Sequence, residues 1–442
     1  MDIDLIGLLS IVIFGAFFSY FILTHPQIVS GIPMGITHIS FIFVIYFAIQ
    51  SAISIAIHTI LRIPLPADIP GWYYHAKLIE NGEVPNRDYN SPYSPGFEYL
   101  NTLIVHISDN QVSLMIVLNA AGVMAGYLLV AYIHTHHGIE SARIATALFM
   151  LNPMVLANWL MGQDESLMLL SIVVLLWFVS SKRPIAIALT CTLALFFTKP
   201  LLLCAVVPSL MLLRLRYRMI SVTALIILLI PLWISGSTGF GTSFTFQSGD
   251  HDPVGMITSG NIWLLVQHWN WWVTADHIQT AVALISITIS VGIIAVRITG
   301  AEWSPHIIIE STGLIMICFI SFYHSSLPTY GLVLIPLILL DMSSKSSPSF
   351  LSIVVLFWAS GFAMDGNWYA RFQNDSGLGG KIFWAWDTFT VSAGIVLLFV
   401  LVTQRFSILC SPSIKSISCT FFGIGHRGLI GDNRGTHTEV PS

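Results

Sequence analysis

Charged residues are the scarcest class in this chain of 442 residues. Asp, Glu, Lys and Arg together make up 9% of it, whereas a soluble domain carries about 25%. No P-loop and no DFG signature occurs, so a nucleotide-bound substrate is not suggested. Hydrophobic residues make up 55%, and the mean hydropathy is +0.80. The sequence therefore indicates a polytopic membrane protein and excludes an ordinary soluble domain.

Apolar runs of about 20 residues, long enough to cross a bilayer, recur from Leu5 to Thr403. They predict an all-α transmembrane domain over residues 1–403. The opening MDID is acidic where a signal peptide would be basic, so we expect the first span to remain in the protein. About thirteen spans are predicted, near residues 5–23, 38–60, 111–133, 142–159, 165–181, 184–198, 200–213, 219–235, 279–297, 306–323, 328–341, 349–363 and 385–403.

Lysines and arginines concentrate in alternate loops. With the N-terminus outside, the positive-inside rule is met by the following residues on the cytoplasmic side: Arg143, Lys182, Arg183, Arg214, Arg216, Arg218, Arg297, Lys345, Arg405, Lys415, Arg427 and Arg434. The loops 61–110, 236–278 and 364–384 then share the external face. Residues 404–442 are expected to form a cytoplasmic tail, disordered at its end.

Cysteine is also rare. The five cysteines are Cys191, Cys204, Cys318, Cys410 and Cys419. All of them fall in predicted helices or in the tail, so no disulfide framework is expected.

The segment from Asp68 to Leu100 is rich in acids, aromatics and prolines. Asp68 follows the second span directly, where burial and neighbouring charges can tune a carboxylate to accept a proton from an alcohol. The alternative is an N-cap for a helix predicted over 72–81. A second short helix is predicted from Phe97 toward His106, after an extended, proline-stiffened stretch.

Aromatic side chains surround these acids: Trp72, Tyr73, Tyr74, Tyr89 and Tyr93. Individually they suit an interfacial aromatic belt. As a group beside carboxylates they also suit sugar binding, because rings stack on the apolar faces of sugars.

A second polar group is the turn Gly162-Gln163-Asp164-Glu165-Ser166 between two spans. One interpretation is an N-cap, with Asp164 or Glu165 favoured by the positive end of the helix. The other is a second carboxylate that lines the same external cavity as Asp68 and contacts sugar hydroxyls or a cation. Lys199 lies between two apolar runs, where an ammonium group is either functional or extended to the interface.

These motifs together resemble the GT-C superfamily of membrane glycosyltransferases, which use lipid-linked sugar donors. The first external loop of that superfamily is matched by Asp68-Ile69, Tyr73 or Tyr74, Ala76, Gly82, Pro85, Arg87-Asp88-Tyr89, Tyr93, Pro95-Gly96 and Tyr99-Leu100. The Gly162 turn resembles a second motif, found in relatives of the first mannosyltransferase of GPI-anchor assembly. Thr198-Lys199-Pro200 and the stretch from Tyr323-His324 to Pro336 are similar to two later features.

The resemblance implies that Asp68 is the catalytic base and that Lys199 faces the donor phosphate. Candidate substrate-binding residues are Arg87, Asp88, Tyr93, Asp164, Glu165, Lys199 and His324, with Arg371 and Lys381 as further phosphate candidates. The second acid of the mannosyltransferase Asp-x-Asp motif is Pro70 here. No metal ligand is assigned, and a divalent cation is left open as a cofactor.

The function expected from these observations is an inverting glycosyltransferase. It would move a hexose, mannose before others, from a polyprenyl-phosphate donor to a glycan or lipid-linked acceptor, with membrane lipid and no nucleic acid as partner. The expected location is a prokaryotic cell membrane, with the endoplasmic reticulum as the alternative. A transporter or lipid flippase is the runner-up, although its charges would lie mid-helix in repeated halves. A non-enzymatic scaffold is a third reading.

Overall fold

The computed structural model describes residues 3–65, 68–91, 93–238 and 328–343, together with isolated positions between 285 and 319. Several predicted segments lie outside the described residues: the spans 349–363 and 385–403, the loop 364–384, the 404–442 tail and most of the 236–278 loop. The same is true of His324, Arg371 and Lys381.

The regular elements of the described residues are all helices. They are α1 (Ile3–Thr24), α2 (Gln27–Ser30), α3 (Ile36–Ile55, continued by a π-helical turn, Ala56–Ile60), α4 (Asp68–Glu80), α5 (Pro95–Ser108), α6 (Gln111–His137), α7 (Ile139–Leu151), α8 (Pro153–Met161), α9 (Glu165–Ser180), α10 (Pro184–Phe197), α11 (Leu203–Leu212, after a 3-10 turn, Pro200–Leu202), α12 (Leu215–Ile234) and α13 (Ile335–Ser343, after a 3-10 helix, Pro328–Leu334).

Three of these helical segments are long and apolar enough to cross a membrane: Ile36–Ile60, Gln111–His137 and Leu215–Ile234. The pair α7 and α8 makes a fourth if the two helices, bent by 47° at their junction, are one span. The part of the chain that the structure describes is therefore all-helical, as predicted, and includes helices that can cross a membrane. The count of about thirteen spans stays a prediction.

The bend between α7 and α8 has a local cause. The Asn152 side chain accepts a hydrogen bond from the Met154 backbone N–H at 2.9 Å and so caps a new helix. Pro153 takes the first position of α8, where its missing N–H costs nothing. The single helix predicted over 142–159 is therefore two helices.

The helices run alternately up and down, because the connections between α6 and α12 are short. Helix α6 packs against α3, α7 and α9, while α10 packs against α9 and α12. One end of the bundle, here called the site end, consequently contains the end of α3, the start of α6, the end of α8, the start of α9 and the end of α10. Arg143, Lys182, Arg183 and Arg214 lie at the opposite end, where Arg143 donates to the backbone oxygens of Ser30 and Met34.

Helices α4 and α5 form a hairpin that packs against α6 and α10 at the site end. Its core contains Trp72 and Phe97, each 1% exposed, against Leu114 and Met115 of α6. Both short helices were predicted, and each begins earlier than expected, α4 at Asp68 and α5 at Pro95. The hairpin positions the Asp68 end of α4 over the start of α6.

Candidate active site

The Gly162 turn places three polar side chains inside the protein. Gly162 ends α8 in the left-handed conformation, with φ 60° and ψ 43°, and the chain enters α9 within three residues. Gln163 and Asp164 are each 2% exposed, and Glu165 is fully buried. Burying ionisable groups in this way is costly unless a partner of opposite charge is near.

Lys199 supplies that partner. It follows the end of α10, and its Nζ lies 2.7 Å from Asp164 Oδ1 and 2.7 Å from Glu165 Oε1. The lysine side chain is 12% exposed, and its ammonium group faces the two carboxyl groups. Asp164 has helical backbone angles and makes no capping hydrogen bond. Asp164 still occupies the N-cap position of α9, at the positive end of the helix, so its position fits both interpretations of this residue.

Gln163 connects this group to Asp68. Asp68 is the first residue of α4 and is half-buried. Its Oδ2 accepts a hydrogen bond from Gln163 Nε2 at 2.9 Å. We refer to Asp68, Gln163, Asp164, Glu165 and Lys199 as the acid–lysine cluster. Residues 95 positions apart in the sequence thus meet at the site end, as expected if they line a common cavity.

The cluster contains more acid than base. Burial raises the pKa of the Asp164 carboxyl above its usual range; Lys199 opposes the shift, and Glu165 and Asp68 reinforce it. Glu165 Oε2 is buried without a hydrogen-bond partner among the described residues. One ammonium group facing two buried carboxyls leaves a surplus negative charge in apolar surroundings, and retaining a proton on Asp164 relieves it.

Tyr93 lies beside the cluster. Burial raises the pKa of its phenol, and the nearby Asp68 carboxylate acts in the same direction. Its ring packs edge-on against Trp72, with centroids 5.8 Å apart, and contacts Phe97 at 5.5 Å. The aromatic ring therefore forms one wall next to Asp68, which suits a sugar ring.

Arg87 and Asp88 are placed differently. The two side chains bind each other, and Arg87 Nη1 donates to the backbone oxygen of Ser235 at 2.8 Å. Asp88 Oδ2 accepts from the Val84 backbone N–H at 2.8 Å. These contacts join the loop to the end of α12 and include no member of the acid–lysine cluster. Substrate binding by Arg87 and Asp88 stays a prediction.

No group of three or more His, Cys, Asp or Glu side chains is arranged to hold a metal ion among the described residues. A divalent cation remains an open alternative.

A small cavity lies behind the Gly162 turn, where Gln50, Asn119, Asn158 and Ser166 form the polar part of a mostly apolar lining. Asn158 Nδ2 donates to Ser166 Oγ at 2.8 Å, and Asn119 is buried with neither amide atom hydrogen-bonded to a described residue. The cavity has room for about one water molecule. A sugar does not fit there, and no member of the acid–lysine cluster lines it.

Sequence reasoning identified the charged members of the cluster but not the role of Gln163. It also missed the contact between His75 and Glu98, whose side chains lie 2.9 Å apart. The sequence gives no sign of the contact with Glu98. It does indicate that His75 lies on the same face of α4 as Asp68, because the two residues are seven positions apart.

The fold and the site define an all-helical membrane protein with an acid–lysine cluster, in which the half-buried Asp68 is joined to a buried lysine and two buried acids. Residues 82–214 match the family model of the alpha-(1->6)-mannopyranosyltransferase N-terminal domain. The match spans the Gly162 turn and Lys199 and begins after Asp68. It supports a mannosyltransferase-like family and glycosyltransferase activity in general. No curated protein and no solved structure matches the chain.

Proposed function

We propose that this protein is an inverting mannosyltransferase that takes mannose from a polyprenyl-phosphate donor and passes it to an acceptor hydroxyl on the external face of a prokaryotic cell membrane. The observation that carries the proposal is the link from Asp68 through Gln163 to the buried Lys199 group, with Nε2 of Gln163 2.9 Å from Asp68. The mannosyltransferase family match supports the choice of sugar.

Asp68 acts as the general base in this mechanism. It takes the proton of the acceptor hydroxyl while the acceptor oxygen forms a bond to the anomeric carbon. The bond from that carbon to the phosphate oxygen breaks, and the lipid phosphate leaves with the electron pair. Attack from the face opposite the phosphate inverts the sugar, so an α-linked product requires a β-linked donor. The amide of Gln163 orients the carboxylate for this step.

Lys199 acts at the donor phosphate. The leaving phosphate gains negative charge as the bond breaks, so a cation in a water-poor site stabilises it more than an acid would. A lysine is a compact point charge suited to phosphate. The carboxyl groups of Asp164 and Glu165 hold the Lys199 Nζ in place in the absence of donor.

The test is Asp68→Asn, which keeps the shape of the side chain and its contact with Gln163 but cannot accept a proton. Loss of a general base typically lowers the rate by about 10²–10⁴-fold. Transfer from labelled polyprenyl-phosphate mannose to octyl α-D-mannopyranoside is measured in purified membranes. We expect D68N to lose transfer by that factor.

Asp109→Asn is the matched control. Asp109 is an exposed acid at the same end of the protein, 73% accessible in its side chain, and its left-handed backbone, with φ 44°, suits asparagine equally. D109N should transfer at the wild-type rate. Full transfer by correctly folded D68N overturns the mechanism, and mannose uptake without transfer by the wild type would point to a transporter instead.

A further inference from the structure

A buried carboxylate and a histidine meet two turns along α4 from Asp68. Glu98 of α5 is fully buried, and its Oε1 lies 2.9 Å from His75 Nδ1. The Ser91 hydroxyl donates to the same oxygen. His75 retains 18% exposure of its side chain, so part of its ring reaches the surface while its Nδ1 faces inward.

The carboxylate sets the orientation of the imidazole. A histidine whose Nδ1–H is donated to a carboxylate presents Nε2 as a hydrogen-bond acceptor. Because Nδ1 faces the buried Glu98, the opposite edge of the ring, which carries Nε2, is directed away from that carboxylate. The pair therefore presents a fixed acceptor at the surface of the hairpin.

This acceptor lies on the Asp68 face of α4. Seven residues are nearly two full helical turns, so His75 and Asp68 point the same way, roughly 10 Å apart along the helix. Tyr93, which lies beside Asp68, also contacts the His75 ring, with centroids 6.4 Å apart. Tyr89 packs against the other side at 4.9 Å. A continuous strip of carboxylate, aromatic rings and imidazole results.

A purely structural role does not account for Glu98. Its Oε2 is buried without a hydrogen-bond partner among the described residues, and an apolar side chain of similar size would avoid that cost. Fixing the orientation of an exposed imidazole is a function that needs a carboxylate in this position. Ligand sites combine aromatic side chains with a few precisely placed polar groups, and this strip has that composition.

We propose that His75, oriented by Glu98, binds a hydroxyl of the second sugar of the acceptor, the sugar that follows the one whose hydroxyl Asp68 deprotonates. His75 is then a substrate-contact residue and Glu98 a positioning residue. This inference rests on the proposed mannosyl transfer.

The test compares two acceptors, octyl α-D-mannopyranoside and its α-1,6-linked dimannoside, with polyprenyl-phosphate mannose as donor. The wild type should have a KM for the dimannoside about tenfold lower, the effect of one good hydrogen bond and its ring contacts. His75→Asn keeps an amide where Nδ1 contacts Glu98 but removes Nε2. H75N should lose the preference, with kcat and the monomannoside KM unchanged.

His75→Gln is the complementary variant, because the glutamine amide lies near the position of Nε2 in histidine. H75Q should therefore keep part of the preference for the dimannoside. His106→Asn, at an exposed histidine of α5, is the matched control and should keep the full preference. A preference that survives in folded H75N overturns the inference, as does an equal rise of both KM values. Absence of any transfer by the wild type overturns the proposed function itself.

Discussion

Lys199 and its two carboxylates show how a single residue can organise a site in an apolar chain. Removing one partner of a buried ion pair typically costs about 3–5 kcal/mol, whereas a well-packed apolar replacement of the whole group is often neutral. Stability alone therefore does not favour placing Asp164, Glu165 and Lys199 together. In the proposed mechanism the arrangement serves to bind a charged ligand, the donor phosphate, at the ammonium group of Lys199.

The protonation of Asp164 gives a pH-dependent prediction. Burial raises the pKa of Asp164, so its proton leaves only as pH rises through the elevated value. Each ionisation adds a negative charge beside the proposed phosphate site. The donor KM of the wild type should therefore increase from mildly acidic to mildly alkaline pH.

Asp164→Asn removes this titration, since asparagine stays neutral at every pH. The KM of D164N for polyprenyl-phosphate mannose should be constant over the range in which the wild-type KM rises. Initial rates at several donor concentrations and pH values measure both. An unchanged pH dependence in D164N would assign the titration to another group.

The charged residues of the site were predictable from sequence because charge is expensive in a membrane protein. Asp68, Asp164, Glu165 and Lys199 stood out against apolar surroundings for that reason. Gln163 and His75 did not, because their significance comes from partners distant in the chain. Only the fold brings Gln163 to Asp68 and His75 to Glu98.

At the scale of the element, the connection from α8 to α9 determines whether the cluster can form. Gly162 occupies the left-handed region, with φ 60°, which costs other L-residues about 1–2 kcal/mol. A Cβ at this position would lie 2.8 Å from Met115 Cγ and 3.3 Å from Ile69 Cδ1. The turn is therefore tight against both α6 and α4.

Gly162→Ala should lower the free energy of unfolding by at least about 1 kcal/mol through backbone strain alone, with the contact to Met115 adding to it. Gly71→Ala is the matched control, because a Cβ there has no atom within 4 Å and alanine is favoured in a helix. Thermal unfolding in detergent measures both. The Tm of G162A should fall while that of G71A stays equal or rises; a wild-type Tm for G162A would contradict the strain argument.

Helix positions were largely predictable within the described residues, and helix interruptions were not. The apolar runs located α6, α9 and α10 to within a few residues, because a helix buried in lipid and against neighbouring helices needs a long apolar run. The break at Asn152 and the π-helical turn Ala56–Ile60 interrupt runs that remain apolar. Hydropathy does not register such features, since they depend on capping and packing.

At the scale of the whole molecule, the alternation of helices separates two chemically different ends. The site end contains the acid–lysine cluster and the α4–α5 hairpin. The opposite end contains Arg143, Lys182, Arg183 and Arg214. Basic loops favour the cytoplasmic side, and a polyprenyl-linked donor presented on the outer leaflet would then meet Asp68.

Cysteine labelling tests this orientation. The parent protein for this experiment has its native cysteines replaced and must retain transfer activity. Two of these cysteines, Cys191 and Cys204, are buried thiols. Asn81→Cys lies on an exposed turn after α4, and Ser181→Cys lies on an exposed turn between α9 and α10. In intact prokaryotic cells a membrane-impermeant maleimide should label N81C and leave S181C unlabelled. Permeabilising the membrane should expose S181C, because its turn lies at the basic end. Labelling of S181C but not N81C in intact cells would place Asp68 on the cytoplasmic side and overturn the external site.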